Sequence, residues 1–337
     1  MMISSAIPAD RWNSSAARLR QPAYNLRAAA PRPAVSIVTP VFNAAPWLGQ
    51  TLASVRAQSF TCWEHLLVDD GSTDGSAAIL EAAAAADARI RILRMPRTAG
   101  PSAARNFALD AAQGRFVAFL DADDLWLPDK LSRCVAWMTG CGYAFVYHDY
   151  RHMLHDGSRA GRLIAGPDEL NYRTLHTHRG TGCLSVVIDR EQVSGLRFPA
   201  GSAALNEDFR AWLGIVKAGH VGHRLAYDLG RYRLSNGSRS ANKLASALEV
   251  WRIYRTESGL PFHRALGWWL QYACNALRLH RRARPGSKTG EYCAACEPAR
   301  IFPEHARLGT ISGFARSFRS AYSAGESSPS AGSSRNE

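Results

Sequence analysis

Between residues 35 and 150 the chain alternates, run after run, between apolar segments of strand length and segments of helical periodicity. VSIV (35–38), HLLVDD (65–70), RIRIL (89–93), FVAFL (116–120) and FVYHDY (145–150) read as strands, the first stopped by Pro40. Between them, PWLGQTLASVRAQ (46–58), GSTDGSAAILEAAAAA (71–86), PSAARNFALDAAQG (101–114) and PDKLSRCVAWM (128–138) carry apolar residues at helical spacing, turn residues at their starts, or Gly114 as a stop. Strand–helix–strand repetition requires crossover connections, and these build a mostly parallel sheet covered by helices. In such α/β sheets ligands bind off the carboxyl ends of the strands.

Those ends are acidic here. Asp69 and Asp70 close the second strand, and Asp121, Asp123 and Asp124 follow the fourth within FLDADDLW. Like charges this close repel, so they point into water or gather around something positive. A divalent cation such as Mg2+ or Mn2+ takes carboxylate, water and phosphate oxygens, and one or two carboxylates leave positions open for a diphosphate. The plainer reading is an acidic solvent loop or a helix cap.

After residue 150 the pattern loosens. CLSVVID (183–189) reads as a strand. NEDFRAWLGIVKAG (206–219) reads as a helix with a stripe of Phe209, Trp212, Leu213 and Val216 behind Asp208, and 244–280 reads as helix again. The expected organisation is a flexible leader (1–33) and a catalytic domain (34–240) whose halves divide near 150, the first for a nucleotide and the second for an acceptor. A helical extension (241–282) and a largely disordered tail (283–337) rich in Gly, Pro, Ser and Arg follow.

The 337 residues carry a formal net charge of +13 and a pI near 9.8, which implies acidic partners: nucleic acid, anionic lipid or a phosphate-bearing substrate. The excess is partly terminal, with Arg11, Arg18, Arg20, Arg27 and Arg32 early and Arg278, Arg281, Arg282 and Arg284 late. Of the seven cysteines, Cys62, Cys134 and Cys183 read as buried thiols of a reducing cytosol, and the lone Cys293–Cys296 pair is weak as a zinc signature. Residues 1–30 lack the apolar core of a secretory signal. Leu266–Leu279 is apolar over 14 residues, short of the ~20 that span a bilayer. Aromatic and aliphatic residues there (Leu266, Trp268, Trp269, Leu270, Tyr272) followed by arginines suit either an interfacial helix on anionic lipid or a helix packed on the catalytic domain.

In combination and order, VSIVTPVFN, LLVDDGSTDGS, RTAGPSAARNFALDAAQGRFVAFLDADDLWLPDKL, NEDFRAWLGIVKAG and RYRLSNGSRS, spread over about 34–280, resemble the inverting family 2 glycosyltransferases of GT-A fold. YAFVYHDYR, TGCLSVVIDR and SANKLASALEVWRIYR resemble bacterial cell-surface polysaccharide enzymes of the teichuronic-acid or capsule kind. The resemblance implies a Rossmann-like nucleotide-binding sheet with a C-terminal helical extension. It also implies transfer of a sugar from a nucleotide-diphosphate donor, a UDP-sugar by expectation, to a saccharide or lipid-linked acceptor, with Mn2+ or Mg2+. It places Pro40 and Phe42 at the nucleobase, Asp70 as acceptor from the uracil-type ring, Arg105 in the nucleotide site, Asp121 near ribose, Asp123 on the metal and Asp208 as catalytic base. In many relatives a His follows the Tyr-Arg pair and reaches metal or diphosphate. Ser235 stands there in this chain, and Arg231, Arg233 and Ser238 are the alternative phosphate holders.

The chemistry needs two aids. A metal offsets charge on the leaving diphosphate, and a carboxylate accepts the acceptor hydroxyl's proton. One displacement then inverts the anomeric carbon without an enzyme nucleophile. Two rivals stand beside this reading. A sugar-nucleotide pyrophosphorylase would normally carry a Gly-rich loop after the first strand, where TPVFNAAPW stands instead. A non-enzymatic nucleic-acid or membrane binder would use the basic excess, yet that excess lies at the ends while the core carries acids. No nucleic-acid partner is expected, and the expected location is cytoplasmic, peripheral to the inner face of the membrane.

Overall fold

The computed structural model of the chain describes residues 32–155, 157, 160–178, 181–199, 206–234 and 243–281. Nearly all of the expected leader and all of the tail, together with Ser235, Ser238, Arg282, Cys293 and Cys296, lie outside the described residues, as do the side chains of Arg278 and Arg281.

The strands are β1 (Val35–Val41), β2 (Trp63–Asp69), β3 (Ile90–Arg94), β4 (Phe116–Phe119), β5 (Leu125–Trp126), β6 (Phe145–Met153), β7 (Ala160–Ile164), β8 (Glu169–Leu170), β9 (Val186–Asp189) and β10 (Gly222–Arg233). The helices are α1 (Ala45–Arg56), α2 (Ser76–Ala86), α3 (Pro101–Ala111), α4 (Lys130–Cys141), α5 (Tyr172–Thr177), α6 (Glu207–Lys217), α7 (Lys243–Thr256) and α8 (Phe262–Arg281). One sheet runs β3-β2-β1-β4-β9-β6-β10-β5, with β7 on β6 and β8 on β10. β1 pairs in parallel with β2 and β4, and β2 with β3. β9 is antiparallel to both β4 and β6, and β6 is parallel to β10. Hence β1, β2, β3, β4, β6 and β10 all run one way, and the short strands reverse it. Two apolar layers result. Val35, Ile37, Leu48, Leu52 and Leu67 lie on one face, and Val38, Leu66, Phe119, Phe145 and Trp212 on the other.

Several expectations are corrected. Pro40 does not stop the first strand, which continues to Val41. The last β1–β4 pair is Val38 with Phe119, and by the alternation of a strand Pro40 faces that same side, just past the end of β4. Its missing N–H therefore leaves no ladder bond unmade. Gly114 is not the stop of α3, which ends at Ala111. It is small because a Cβ there would lie 2.6 Å from Ser36 N and 2.8 Å from Val35 C, and its own N–H donates to Ser36 Oγ (2.8 Å). The late helix is two helices, because Gly259 turns the chain with φ +64° and Pro261 cannot continue α7. Cys62 is half-buried rather than buried, since it precedes β2 instead of lying within it. The longest strand, β10, has no counterpart in the sequence expectation. Its charged residues mask any alternation, and irregular register between Leu225, Asp228 and Gly230 shifts its faces midway.

Candidate active site

Strand order brings the carboxyl ends of β2, β1 and β4 side by side, so Asp70, Phe42 and Asp121 share one edge. Phe42 is 54% exposed and belongs to no core cluster, while Pro40 is buried in β1. Asn43 takes a left-handed backbone (φ +50°), and its Oδ1 accepts from Thr73 N (2.8 Å). Asp69 Oδ1 accepts from Ser72 N (3.0 Å), closing the turn after β2. Gly71 in that turn has φ +83°, and a Cβ would meet Thr98 Oγ1 at 2.5 Å. Asp70 is buried, and its two oxygens accept from Ala99 N (2.8 Å) and Gly100 N (2.7 Å). Asp70 thereby fixes the entry to α3, the helix that carries Arg105.

The acidic loop after β4 is held from both sides. From α1, the Thr51 hydroxyl donates to Ala122 O (2.8 Å) and Asp124 O (2.9 Å). From β10, Arg233 donates through N to Asp124 Oδ1 (2.9 Å) and through Nε to Asp123 O (2.7 Å). Asp124 is fully buried, and burial first, then Asp123 and Asp121, push its carboxyl well above the usual range. Asp124 is thus a buried structural acid, its Oδ1 holding the backbone of Arg233. Asp123 is half-buried, and burial followed by the charge of Asp121 raises it to about 6. Burial and the neighbouring like charges make both acids hold their protons more tightly than an exposed aspartate. Asp121 answers the repulsion with a cation, accepting from Arg105 Nη2 at 2.5 Å.

Among the described residues no three His, Cys, Asp or Glu side chains are grouped to hold a metal ion. The residues present fit a divalent cation held in another way, by Asp123 with or without Asp121, with diphosphate and water oxygens completing its shell. A positive ion there would relieve the like charge that raises Asp123.

Arg105 is the residue whose surroundings the sequence did not disclose. It is buried, and its Nη1 also donates to Glu207 Oε1 (3.2 Å), 102 positions away. Its ring neighbour is Phe198, 5.2 Å from the guanidinium carbon. Glu207 and Asp208 open α6, behind Asn206 with φ +56°. Asn206 is anchored to α7, its Oδ1 accepting from Ser246 Oγ (3.2 Å). The α6 stripe is seated, with Trp212, Leu213 and Val216 buried and Phe209 packed against the core. Asp208 is half-buried, and burial and then Glu207 push its carboxyl up to about 6. Asp121 and Arg105 also act on Asp208 electrostatically, so the acids after β4 and those opening α6 share one neighbourhood. Cys183 is buried in the same neighbourhood.

Arg231 and Arg233 are engaged by protein partners. Arg231 Nη1 donates to Asp228 Oδ1 (2.6 Å), and Arg233 Nη1 and Nη2 donate to His155 O (2.7 Å) and Gln50 Oε1 (2.8 Å). Both are buried, so the expectation that they hold phosphate is corrected: their charges serve the β6–β10 wall and the acidic loop.

The sequence profile described as Glycosyl transferase family 2 matches residues 36–187. A relative from Bacillus subtilis (strain 168), the glycosyltransferase TuaG named for teichuronic acid biosynthesis, is 38% identical over 73% of this chain and 97% of its own. The chain belongs to glycosyl transferase family 2. A second member, the Escherichia coli UDP-Glc:alpha-D-GlcNAc-diphosphoundecaprenol beta-1,3-glucosyltransferase WfgD, is 34% identical over 65% of this chain and 84% of its own. Among solved structures, S. aureus TarS 1-349 in complex with UDP-GlcNAc superposes with TM-score 0.56 at 17% identity, covering 87% of this chain and 92% of that one. The mannosyltransferase PcManGT from Pyrobaculum calidifontis, in complex with GDP-Man and Mn2+, gives TM-score 0.56 at 18% identity over 87% and 81%. The fold is therefore GT-A, and this family 2 member is a glycosyltransferase rather than a pyrophosphorylase or a non-enzymatic binder.

Proposed function

We propose that this family 2 glycosyltransferase moves a hexose from a UDP-sugar to a lipid-linked saccharide, with inversion, in the building of a cell-surface polysaccharide at the inner face of the membrane. The names of its relatives support the donor and acceptor classes. The observation that carries the mechanism is Arg105, one buried cation bonded both to Asp121 after β4 and to Glu207 beside Asp208.

On this reading Phe42 and Pro40 line the nucleobase and Asp70 accepts from its ring. Asp121 lies at the ribose, and Asp123 is the carboxylate for Mn2+ or Mg2+. A bound cation would supply Lewis-acid neutralisation of the leaving diphosphate. Asp208 accepts the proton of the acceptor hydroxyl as its oxygen attacks the anomeric carbon, and the bond to the diphosphate breaks on the opposite face. The burial that raises Asp208 also makes it a stronger base than an exposed aspartate. Arg105 acts through others: it holds the first turn of α6 to the donor loop, which sets the attack distance.

The test is a panel of nucleotide sugars, each offered with a sugar linked to a lipid diphosphate, read as released nucleoside diphosphate and as extended lipid product. Transfer from a UDP-sugar is the expected result. Turnover confined to GDP- or ADP-sugars would reject the donor class, and extension of free saccharides alone would reject the acceptor class.

A further inference from the structure

The hairpin of α7 and α8 has an inner and an outer face of different character. Inward, Val250, Tyr254, Leu260, Ala265 and Tyr272 form one buried cluster, with Phe209, Tyr172 and Trp268 packed against it. Trp251 joins the two helices, its ring 5.8 Å from Phe262 and 6.3 Å from Trp269, and Trp269 Nε1 donates to Ala247 O (2.9 Å). Of the two readings left open for this stretch, Trp268, Trp269 and Tyr272 follow the packed one, being committed to protein contacts. Outward, however, Phe262, Leu266 and Leu270 recur every fourth residue and are 60%, 38% and 50% exposed. Leu248, one turn before Trp251, is 59% exposed. Among the described residues the other exposed large apolar side chains, such as Phe107, Leu154 and Tyr227, lie singly on separate elements.

The charge around this row has one sign. Residues 243–281 contain two carboxylates, Glu249 and Glu257, and both are taken by Arg210 of α6. Arg252, Arg255 and Arg264 are exposed on the same two helices, and Lys243, Arg278 and Arg281 add to them in sequence. An exposed apolar row on α8, beside an α7 face that carries Leu248 with the unbalanced cations Arg252 and Arg255, matches a surface that is apolar below and anionic above. A second copy of the chain would bring the same positive charge against itself.

We propose that the outer face of α7–α8 lies flat on an anionic bilayer, with Phe262, Leu266 and Leu270 at the acyl boundary and Arg252 and Arg255, which share the Leu248 face of α7, at lipid phosphates. The proposal rests on the lipid-linked acceptor reading and deepens it by naming the surface. Ser246 of α7 holds Asn206, two residues before Asp208, so the docked hairpin is one contact away from the proposed base. A membrane-held acceptor would thereby meet the active site at a fixed height.

The full chain is floated at physiological salt with vesicles of phosphatidylcholine alone or mixed with phosphatidylglycerol. The expected result is binding to the anionic vesicles only. The variant Phe262→Ser/Leu266→Gln/Leu270→Gln should lower the bound fraction about tenfold or more and abolish tryptophan quenching by brominated lipid, whereas Tyr227→Ser on β10 should change neither. Unchanged melting temperature and donor hydrolysis show that the triple variant is folded. If it is not, Leu270→Gln with Arg252→Gln replaces it and should show the same loss. Binding by the variants equal to the parent, or no binding by the parent, would overturn the proposal. So would a parent dimer that the variant breaks without any lipid binding. Flotation reads the surface whether or not sugar transfer is reconstituted, so this proposal and the catalytic one fail separately.

Discussion

Asp208 carries the heaviest demand of any single residue. A general base works only in its ionised form, and its carboxyl is raised from the ordinary value to about 6, chiefly by burial and then by Glu207. The rate of the chemical step should therefore fall about tenfold per pH unit below that value and level off above it. Glu207→Gln removes the adjacent like charge, so the acidic limb should move to lower pH; single-turnover transfer from pH 4.5 to 8 measures both. Asp208→Asn keeps the shape and removes the proton acceptor, and transfer should fall ~100-fold or more while donor affinity stays near normal. Transfer at the parent rate would make Asp208 a mere helix-start acid. Asp70→Ala should weaken UDP binding by ~1–3 kcal/mol in calorimetry, because a ring donor loses its acceptor. Unchanged affinity would leave Asp70 only its bonds to Ala99 and Gly100. Arg105→Gln leaves Asp121 and Glu207 facing each other without their cation. A loss of roughly 3–5 kcal/mol in urea unfolding is expected, the usual range for breaking a buried pair from one side.

At the scale of elements, side chains that look incidental in the sequence hold the acidic loop in place. Thr51 of α1 and Gln58, two residues past its end, bond to the backbone between Ala122 and Leu131. Arg233 of β10 closes the same loop from the other side. The loop is thus a rigid platform between two elements, which suits a site that must hold carboxylates against their own repulsion. β1 meets β4 under a tight constraint at Gly114, where an added methyl would press on the backbone of Val35 and Ser36. Gly114→Ala should cost ~1–3 kcal/mol, as overpacking does, and lower the melting temperature with little change in donor affinity. An unaltered melting temperature would show that the turn after α3 relaxes freely.

For the whole molecule, the strands before and after residue 150 are parts of one sheet, and the sheet's edge is where the acids meet. Removing divalent cations with a chelator should abolish transfer, and Mn2+ or Mg2+ should restore it. UDP with the cation should raise the melting temperature, since a ligand that binds only the folded state stabilises it. Full activity in excess chelator would remove Asp123 from the metal role and leave diphosphate charge to other groups.

How much of this was legible beforehand differs from element to element. VSIV, HLLVDD and FVAFL announced buried parallel strands because they are apolar on both faces, and crossover geometry then put Asp70 and Asp121 on one edge without any structure. The stripe of Phe209, Trp212, Leu213 and Val216 likewise announced α6, because helical periodicity is a local property. β10 was not legible: its charged residues find partners on β6 and in the acidic loop, and no local pattern records such distant pairing. The same holds for α8, where spacing alone could not tell which aromatic residues turn inward. The clearest division is at the site. The local sequence determined the acids, their order along the chain and their placement after strands. Only the tertiary structure decided that Arg105 is locked between Asp121 and Glu207, that Asp124 is buried, and that Arg231 and Arg233 serve the scaffold. Charge pairing and desolvation act through space, between residues as far apart as 102 positions, and the order of residues along a chain does not contain that distance.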